Sequence, residues 1–236
     1  MEFVLAVTPQ NNEAFLREVD EELRKDQALR FWTSYGRWVI GAVVAGLLAF
    51  GGYLFWQNQQ QRQAAKDSEA YTAVTEKLGT GDTKSVGTPL ADLAKTNGGY
   101  APLAIFLEAD LLLAKNDLKG AAAKFAQVAG NTRIAKPLRD LALVRQTSAE
   151  YDTLKPEVVI ARLKPLAVKG EPWFGSAGEM VAVAYLQQNK NDQAGALLGQ
   201  IARDPDVPQS LKDRTAQLAG ALGVDAVVQF EEKKAQ

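Results

Sequence analysis

An uncharged apolar stretch, residues 38–56, most limits what this chain can fold into; it reads WVIGAVVAGLLAFGGYLFW. As a helix these nineteen residues would extend about 28 Å, close to the hydrocarbon thickness of a bilayer. Aromatic side chains that suit the two membrane interfaces stand around its ends: Trp32, Tyr35 and Trp38 at the first, Tyr53 and Trp56 at the second. The stretch therefore predicts a single transmembrane helix over residues 38–56. The alternative, a buried core helix, requires a soluble fold that surrounds it on every side.

Basic residues are distributed unequally on the two sides of this stretch. Five lie close before it and two follow it: Arg17, Arg24, Lys25, Arg30 and Arg37 against Arg62 and Lys66. Lysine and arginine are enriched on the cytoplasmic side of a membrane helix. Residues 1–37 are therefore predicted to be cytoplasmic. Residues 57–236 are predicted to form the main domain, on the opposite side of the membrane.

Small residues recur within the stretch. Gly41, Ala45 and Ala49 lie four apart and share one face of the predicted helix. Small residues at this spacing let two membrane helices pack closely, so these three are candidates for contact with a second membrane helix. The alternative is that glycine and alanine are simply common in such helices.

Residues 11–30 carry a helical pattern before the apolar stretch. Phe15, Val19 and Leu23 recur at four-residue intervals among charged residues. Two interpretations fit this pattern. One is a short cytoplasmic helix that offers an apolar stripe to a partner, and the other is a solvated or membrane-lying helix that continues into the stretch.

Histidine and cysteine are both absent from the chain. Nucleophile pairs that need histidine, thiol redox motifs and zinc sites built on sulfur or imidazole are therefore excluded. Basic and acidic residues balance to a net charge of −1, so the sequence has no concentrated positive field for nucleic acid. We expect no enzyme, no cofactor or metal site, no small-molecule substrate and no nucleic-acid partner.

Apolar residues after position 57 recur at helical spacing, and short turns rich in Gly, Asn, Asp and Pro separate them. This pattern predicts an all-α fold in which successive helices pack as antiparallel hairpins, because the connections are short. Helices are predicted near residues 58–78, 86–96, 101–115, 117–129, 136–151, 156–168, 174–189, 191–203 and 208–222.

Two of the predicted hairpins share a local pattern. Each has an Asn-Asp turn, then a small residue, a large residue four later and an aliphatic residue three later: Asn116-Asp117, Ala121, Phe125 and Val128 in one, Asn191-Asp192, Ala194, Leu198 and Ile201 in the other. This resembles the second half of a tetratricopeptide repeat, where the small residue lets two helices cross closely. The two small residues lie 73 positions apart, twice a repeat of about 34 residues. We therefore expect a degenerate hairpin between them, and three to four hairpins with a closing helix in all.

A stacked array of this kind has a concave face, lined by the first helix of each hairpin, that commonly binds peptides or proteins. By spacing, six residues are predicted to lie on this face and contact partners: Phe106, Asp110, Arg139, Gln146, Glu179 and Val183. Each is equally compatible with an ordinary surface or half-buried position.

The whole layout resembles the YfgM-like family. The resemblance rests on the charged helix, the segment FWTSYGRWVIGAVVAGLLAF, the glutamine-rich residues 57–61 and the tetratricopeptide-like hairpins. Members of this family are described as ancillary subunits of the bacterial Sec translocon with a periplasmic tetratricopeptide-like domain. The resemblance implies an inner-membrane protein that assists folding or handover of exported chains, with the translocon and a membrane-anchored periplasmic chaperone as partners. No catalytic residue carries over.

A second class of function also fits the sequence. The chain would then be a structural scaffold of a cell-envelope or division complex, with the Gly41 and Ala45 face and the N-terminal helix as its important surfaces. A membrane-tethered binding module is preferred because of the helical repeats and the missing catalytic chemistry.

Overall fold

The computed structural model describes residues 10–225, except for the side chains of residues 10–18, 20 and 28. Within this range the regular structure is entirely helical, and no strand occurs. The helices are α1 (Gln10–Gly79), α2 (Gly87–Ala94), α3 (Ala101–Ala114), α4 (Leu118–Ala129), α5 (Lys136–Glu150), α6 (Pro156–Leu163), α7 (Phe174–Gln187), α8 (Asn191–Ala202) and α9 (Gln209–Ala221), and a short 3₁₀ turn, Tyr151–Thr153, follows α5. The predicted all-α fold class is confirmed.

Helix α1 continues without a break through three segments that were predicted separately, residues 11–30, 38–56 and 58–78. Of the two interpretations of residues 11–30, the structure has a helix that continues into the apolar stretch; the side chain of Phe15 lies outside the described residues. The helix start predicted near residue 58 is wrong. Composition changes there, but residues 10–79 contain no proline and so no strong helix breaker.

The chain divides into two compact units between Arg62 and Gln63. In the first unit, α1 contains a window that is apolar and long enough to cross a membrane, and none of that window is buried inside the protein. Leu47 and Leu48, for example, are 65% and 72% exposed. The fold therefore does not surround this segment as it would a core helix. The predicted limits of the transmembrane segment, residues 38 and 56, stay predictions.

Successive helices of the second unit pack as hairpins. The part of α1 that begins at Gln63 packs with α2, and α3 packs with α4, α5 with α6 and α7 with α8, while α9 closes the array against α8. The described residues thus form four hairpins and a closing helix, as predicted. Helix α6 ends at Leu163, five residues before its predicted end at 168, because Pro165 cannot continue the helical hydrogen bonds.

The core of this unit lies between neighbouring hairpins. All six residues of the repeated pattern are buried: Ala121, Phe125, Val128, Ala194, Leu198 and Ile201. In the second hairpin, the ring of Phe125 lies 5.7 Å from the ring of Phe106 in α3, and Ala142 of the following hairpin joins the same cluster. Each hairpin therefore buries its apolar face against the next, as in other repeat proteins.

The turns inside two hairpins use asparagine in the left-handed conformation. Asn116 and Asn189 have φ angles of 61° and 58°, a region that asparagine tolerates better than most residues. Asp117 then caps α4, because its Oδ1 accepts a hydrogen bond from the backbone N–H of Gly120 at 2.8 Å. The second turn was predicted at Asn191-Asp192, and this is wrong: Asn189 makes the turn, and Asn191 is already the first residue of α8.

Candidate protein-interaction surface

The six predicted contact residues lie on the first helices of three hairpins, but they do not form one free surface. Phe106 is 7% exposed and packs against Phe125, so its prediction as a partner-binding residue is wrong. It lies three residues before the buried Ala109 and therefore on the side of α3 that faces α4. Burial in the core leaves the Phe106 ring no surface for a partner.

Asp110 and Glu179 form ion pairs within the array. Arg145 Nη2 lies 2.5 Å from Asp110 Oδ1, and Arg145 Nη1 lies 3.3 Å from Asp110 Oδ2. The guanidinium of Arg214 likewise donates to both carboxylate oxygens of Glu179. These contacts raise the pKa of Arg214, first through the hydrogen bonds and then through the negative charge. The first pair joins α3 to α5, the first helices of neighbouring hairpins, and the second pair joins α7 to the closing helix α9.

The four paired residues stand at intervals of 35, 34 and 35 positions and alternate in charge: Asp110, Arg145, Glu179 and Arg214. We name this set the charge ladder. Arg145 and Arg214 were not predicted as site residues. Alternating charge at the repeat interval is the signal that identifies them, and it becomes visible only once the hairpins are aligned.

The remaining three predicted residues are half-buried. Gln146 Nε2 donates to Glu150 Oε2 at 3.4 Å, and Arg162 of α6 pairs with the same carboxylate, so this group joins α5 to α6. Arg139 has a buried Nε without a hydrogen-bond partner among the described residues. Val183 belongs to none of the buried clusters. Of the six residues predicted to contact partners, Arg139 and Val183 therefore stay candidates for such a contact.

Two clefts open between the loops that join hairpins. The first, about 470 Å³, carries two cations and no carboxylate in its lining, and we name it the basic cleft: Lys95, Asn97, Ile105, Asn131, Arg133 and Ile134 are among its lining residues. The second, about 240 Å³, carries three carboxylates and no cation, and we name it the acidic cleft: Glu171, Trp173, Ser176, Asp204, Asp206 and Val207 line it.

The residues predicted for the membrane are open to contact along α1. Trp32, Tyr35, Trp38, Tyr53 and Trp56 are all more than half exposed. A Cβ atom built on Gly41 meets nothing within 4 Å, and Ala45 and Ala49 are exposed. Their roles at the membrane interface and in helix packing stay predictions.

Acidic residues of the array are the side chains that could hold a metal in this chain, since it has no histidine and no cysteine. Among the side chains that the structure describes, no three Asp, Glu, His or Cys residues are arranged to hold a metal ion. The clefts and the charge ladder offer hydrogen bonds, charge and apolar contact, which is the chemistry of protein recognition.

Comparison with known proteins gives two kinds of match. The family model of a tetratricopeptide repeat-like domain matches residues 29–206. The chain is 25% identical over 167 residues to the ancillary SecYEG translocon subunit of Escherichia coli (strain K12), covering 71% of this chain and 79% of that protein. It is 22% identical over 179 residues to the protein of the same name from Haemophilus influenzae, covering 75% and 85%. No solved structure matches significantly. The resemblance to the YfgM-like family is confirmed, and the chain belongs to the family of the tetratricopeptide repeat-like domain.

Proposed function

We propose that this chain is a membrane-anchored, non-enzymatic binding module that associates with the Sec translocon as an ancillary subunit. The observation that carries the proposal is the match to two proteins of that name over 79% and 85% of their own lengths. The matched family region, residues 29–206, includes both the apolar stretch and nearly all of the helical array. The proposal therefore concerns the whole layout of the chain.

The helical array is proposed to be periplasmic, with residues 1–37 in the cytoplasm of a bacterial cell. The support is the excess of basic residues before the apolar stretch. In this orientation the array meets chains as they leave the translocon. Its partners would be these exported chains and a membrane-anchored periplasmic chaperone, and its work would be to assist folding or handover.

Co-purification tests the association with the translocon. The full chain, tagged at its C-terminus, is extracted from membranes in a mild detergent, and SecY is measured in the purified fraction. We expect SecY to be enriched over an unrelated single-span membrane protein that is tagged and expressed in the same way. Equal SecY in both samples would contradict the proposal.

A reporter fused after Gln236 tests the orientation separately. An enzyme that is active only outside the cytoplasm should be active there and inactive when it is fused before the apolar stretch, at residue 30. The reverse result on stable fusions would place the array in the cytoplasm and exclude contact with exported chains.

The scaffold function remains the second candidate, because the Gly41 and Ala45 face of α1 is open to another helix. Gly41→Leu with Ala45→Leu should disrupt a complex held by helix packing, since bulky side chains keep the backbones apart. The matched control is Val43→Leu with Leu47→Val, which changes a different side of α1. Unchanged complexes in the Gly41 and Ala45 variant would exclude a scaffold that is held by this face of α1.

A further inference from the structure

The loops that join one hairpin to the next lie together at one end of the array. We name this the loop end: it comprises residues 95–100, 130–135, 164–173 and 203–208. The first two loops line the basic cleft, and the last two line the acidic cleft. Between the two clefts, Lys136 Nζ lies 3.6 Å from Glu171 Oε2 and connects the loop pairs.

The chain enters the array at this same end. The Asp67 carboxylate of α1 lies directly against Gly98, where any side chain would collide with it. Tyr100 donates its hydroxyl hydrogen to Ser68 Oγ at 3.1 Å. The loop end therefore includes the place where the last part of α1 joins the array.

The basic cleft has unused positive charge above an apolar floor. Arg133 is exposed and has no ion pair among the described residues. Lys95 meets only Asp92, at 3.3 Å, and both side chains are mostly exposed, so this pair contributes little. Ile105, Ile134 and Leu138 supply the apolar floor. The volume of the cleft, about 470 Å³, is in the usual range of ligand-binding pockets in proteins, roughly 300–1,000 Å³.

We propose that the basic cleft binds an acidic segment of a membrane-embedded protein partner. A carboxylate of that segment pairs with Arg133 and Lys95, and an apolar side chain packs on Ile105 and Ile134. The acidic cleft repels the same segment, so the two clefts fix which part of the loop end accepts it. The inference rests on the proposed association with the translocon and names the surface through which the array makes it.

Site-specific photo-crosslinking tests the inference in the full chain within native membranes. A photoreactive residue replaces Asn97, which is exposed and lines the basic cleft. The control position is Lys115, which is exposed and lies at the other end of α3. We expect the Asn97 probe to crosslink to SecY, SecE or SecG, identified by antibody, at least fivefold more than the Lys115 probe does.

Charge reversal tests the chemistry of the contact. Arg133→Glu combined with Lys95→Glu should reduce the crosslink from position 97 about tenfold, because like charges then face each other. Lys164→Glu combined with Lys169→Glu is the matched control, since both are exposed lysines of the loop end that line neither cleft. Thermal unfolding of all variants verifies that the array remains folded.

The outcomes separate the inference from the function on which it rests. If the parent chain fails to co-purify SecY, the proposed function falls, and the inference falls with it. If SecY co-purifies but the Asn97 probe crosslinks no more than the Lys115 probe, or crosslinks to lipid or to an exported chain, only the inference is overturned. Equal loss of crosslinking in both charge variants would also overturn it.

Discussion

At the scale of single residues, the first helices of neighbouring hairpins are joined by charge. Asp110 pairs with Arg145, whose guanidinium carbon also lies 4.8 Å from the centre of the Phe125 ring. The side chains of this pair are 41% and 35% exposed, so solvent weakens their attraction. The main effect of this ion pair is therefore to determine that α3 lies beside α5. Its contribution to stability is modest. Two residues predicted to contact partners, Asp110 and Glu179, are engaged in this way.

Exchanging the charges of one pair tests this role. Asp110→Arg or Arg145→Asp alone should lower the free energy of unfolding by about 1 kcal/mol, because each variant creates a like-charge contact. The double variant should recover about half or more of the loss. Urea unfolding followed by circular dichroism measures all three. Simple addition of the two single losses in the double variant would mean that the pair does not interact.

Asp82, in the turn between α1 and α2, provides a pH-dependent contribution to stability. The Ser85 hydroxyl donates to its carboxylate, the backbone N–H groups of Ser85 and Lys84 donate at 3.1 Å and 3.2 Å, and together they lower the pKa of Asp82. A lowered pKa in the folded state means that the ionised form stabilises the turn. The contribution is present above the unfolded-state pKa and is lost as the pH falls through the folded-state pKa.

The prediction is that NMR titration gives Asp82 a pKa below that of an aspartate in an unstructured peptide. Asp82→Asn should lower stability at neutral pH, and the difference from the parent should shrink as the medium becomes acidic. Asp152→Asn, in the turn between α5 and α6, provides a matched control because no group among the described residues donates a hydrogen bond to its carboxylate. A pKa of Asp82 in the ordinary range would contradict the prediction.

At the scale of helices, close crossing inside the fourth hairpin depends on a glycine. A Cβ atom on Gly178 of α7 would lie 2.8 Å from Ile201 Cδ1 of α8. The repeat pattern locates the small residue Ala194 in α8, and the structure adds this second small residue in the facing helix. Gly178 therefore sets how closely α7 and α8 approach.

Gly178→Leu is expected to destabilise the array by about 1–3 kcal/mol, because the added side chain must displace Ile201 or separate the helices. Gln187→Leu, at an exposed position of the same helix, is the control and should change stability little. Guanidinium unfolding at equal protein concentration compares them. If the Gly178→Leu variant were as stable as the parent, α7 and α8 could move apart without cost, and the prediction would be wrong.

Most helices of the array were predictable from the sequence because proline, glycine and asparagine mark their ends. The bounds of α3, α4, α5 and α8 agree with the predicted ranges to within one residue. The early end of α6 was also encoded, in Pro165. The sequence does not indicate that α1 is continuous, because only its hydropathy changes along the helix. Phe106 was assigned to the wrong surface because helical spacing predicts a helix face but does not identify what packs against it. The charge ladder could be recognised only after the hairpins were aligned.

At the scale of the whole molecule, the two compact units meet at residues 62 and 63, inside a helix. The second unit contains the buried apolar clusters of the described hairpins, from Val74 to Ala219. Its stability therefore depends on contacts within the array.

A fragment of residues 63–236 is accordingly expected to fold without the apolar stretch. Circular dichroism should give a strongly helical spectrum and one cooperative thermal transition. A second fragment, residues 101–236, lacks Val74, Leu90 and Leu93 and should unfold at a lower temperature, since α3 then loses the neighbours that cover its Ala104 side. An unfolded 63–236 fragment would mean that the array depends on the first unit.

The alternating signs of the charge ladder limit how the number of hairpins can change. Deletion of the α5 and α6 hairpin would bring Asp110 opposite Glu179, and deletion of the α7 and α8 hairpin would bring Arg145 opposite Arg214. Either product has two like charges where the parent has an ion pair. Deletion of both hairpins would instead leave Asp110 opposite Arg214. The alternation of charge therefore disfavours the loss of one hairpin and tolerates the loss of two neighbouring hairpins together.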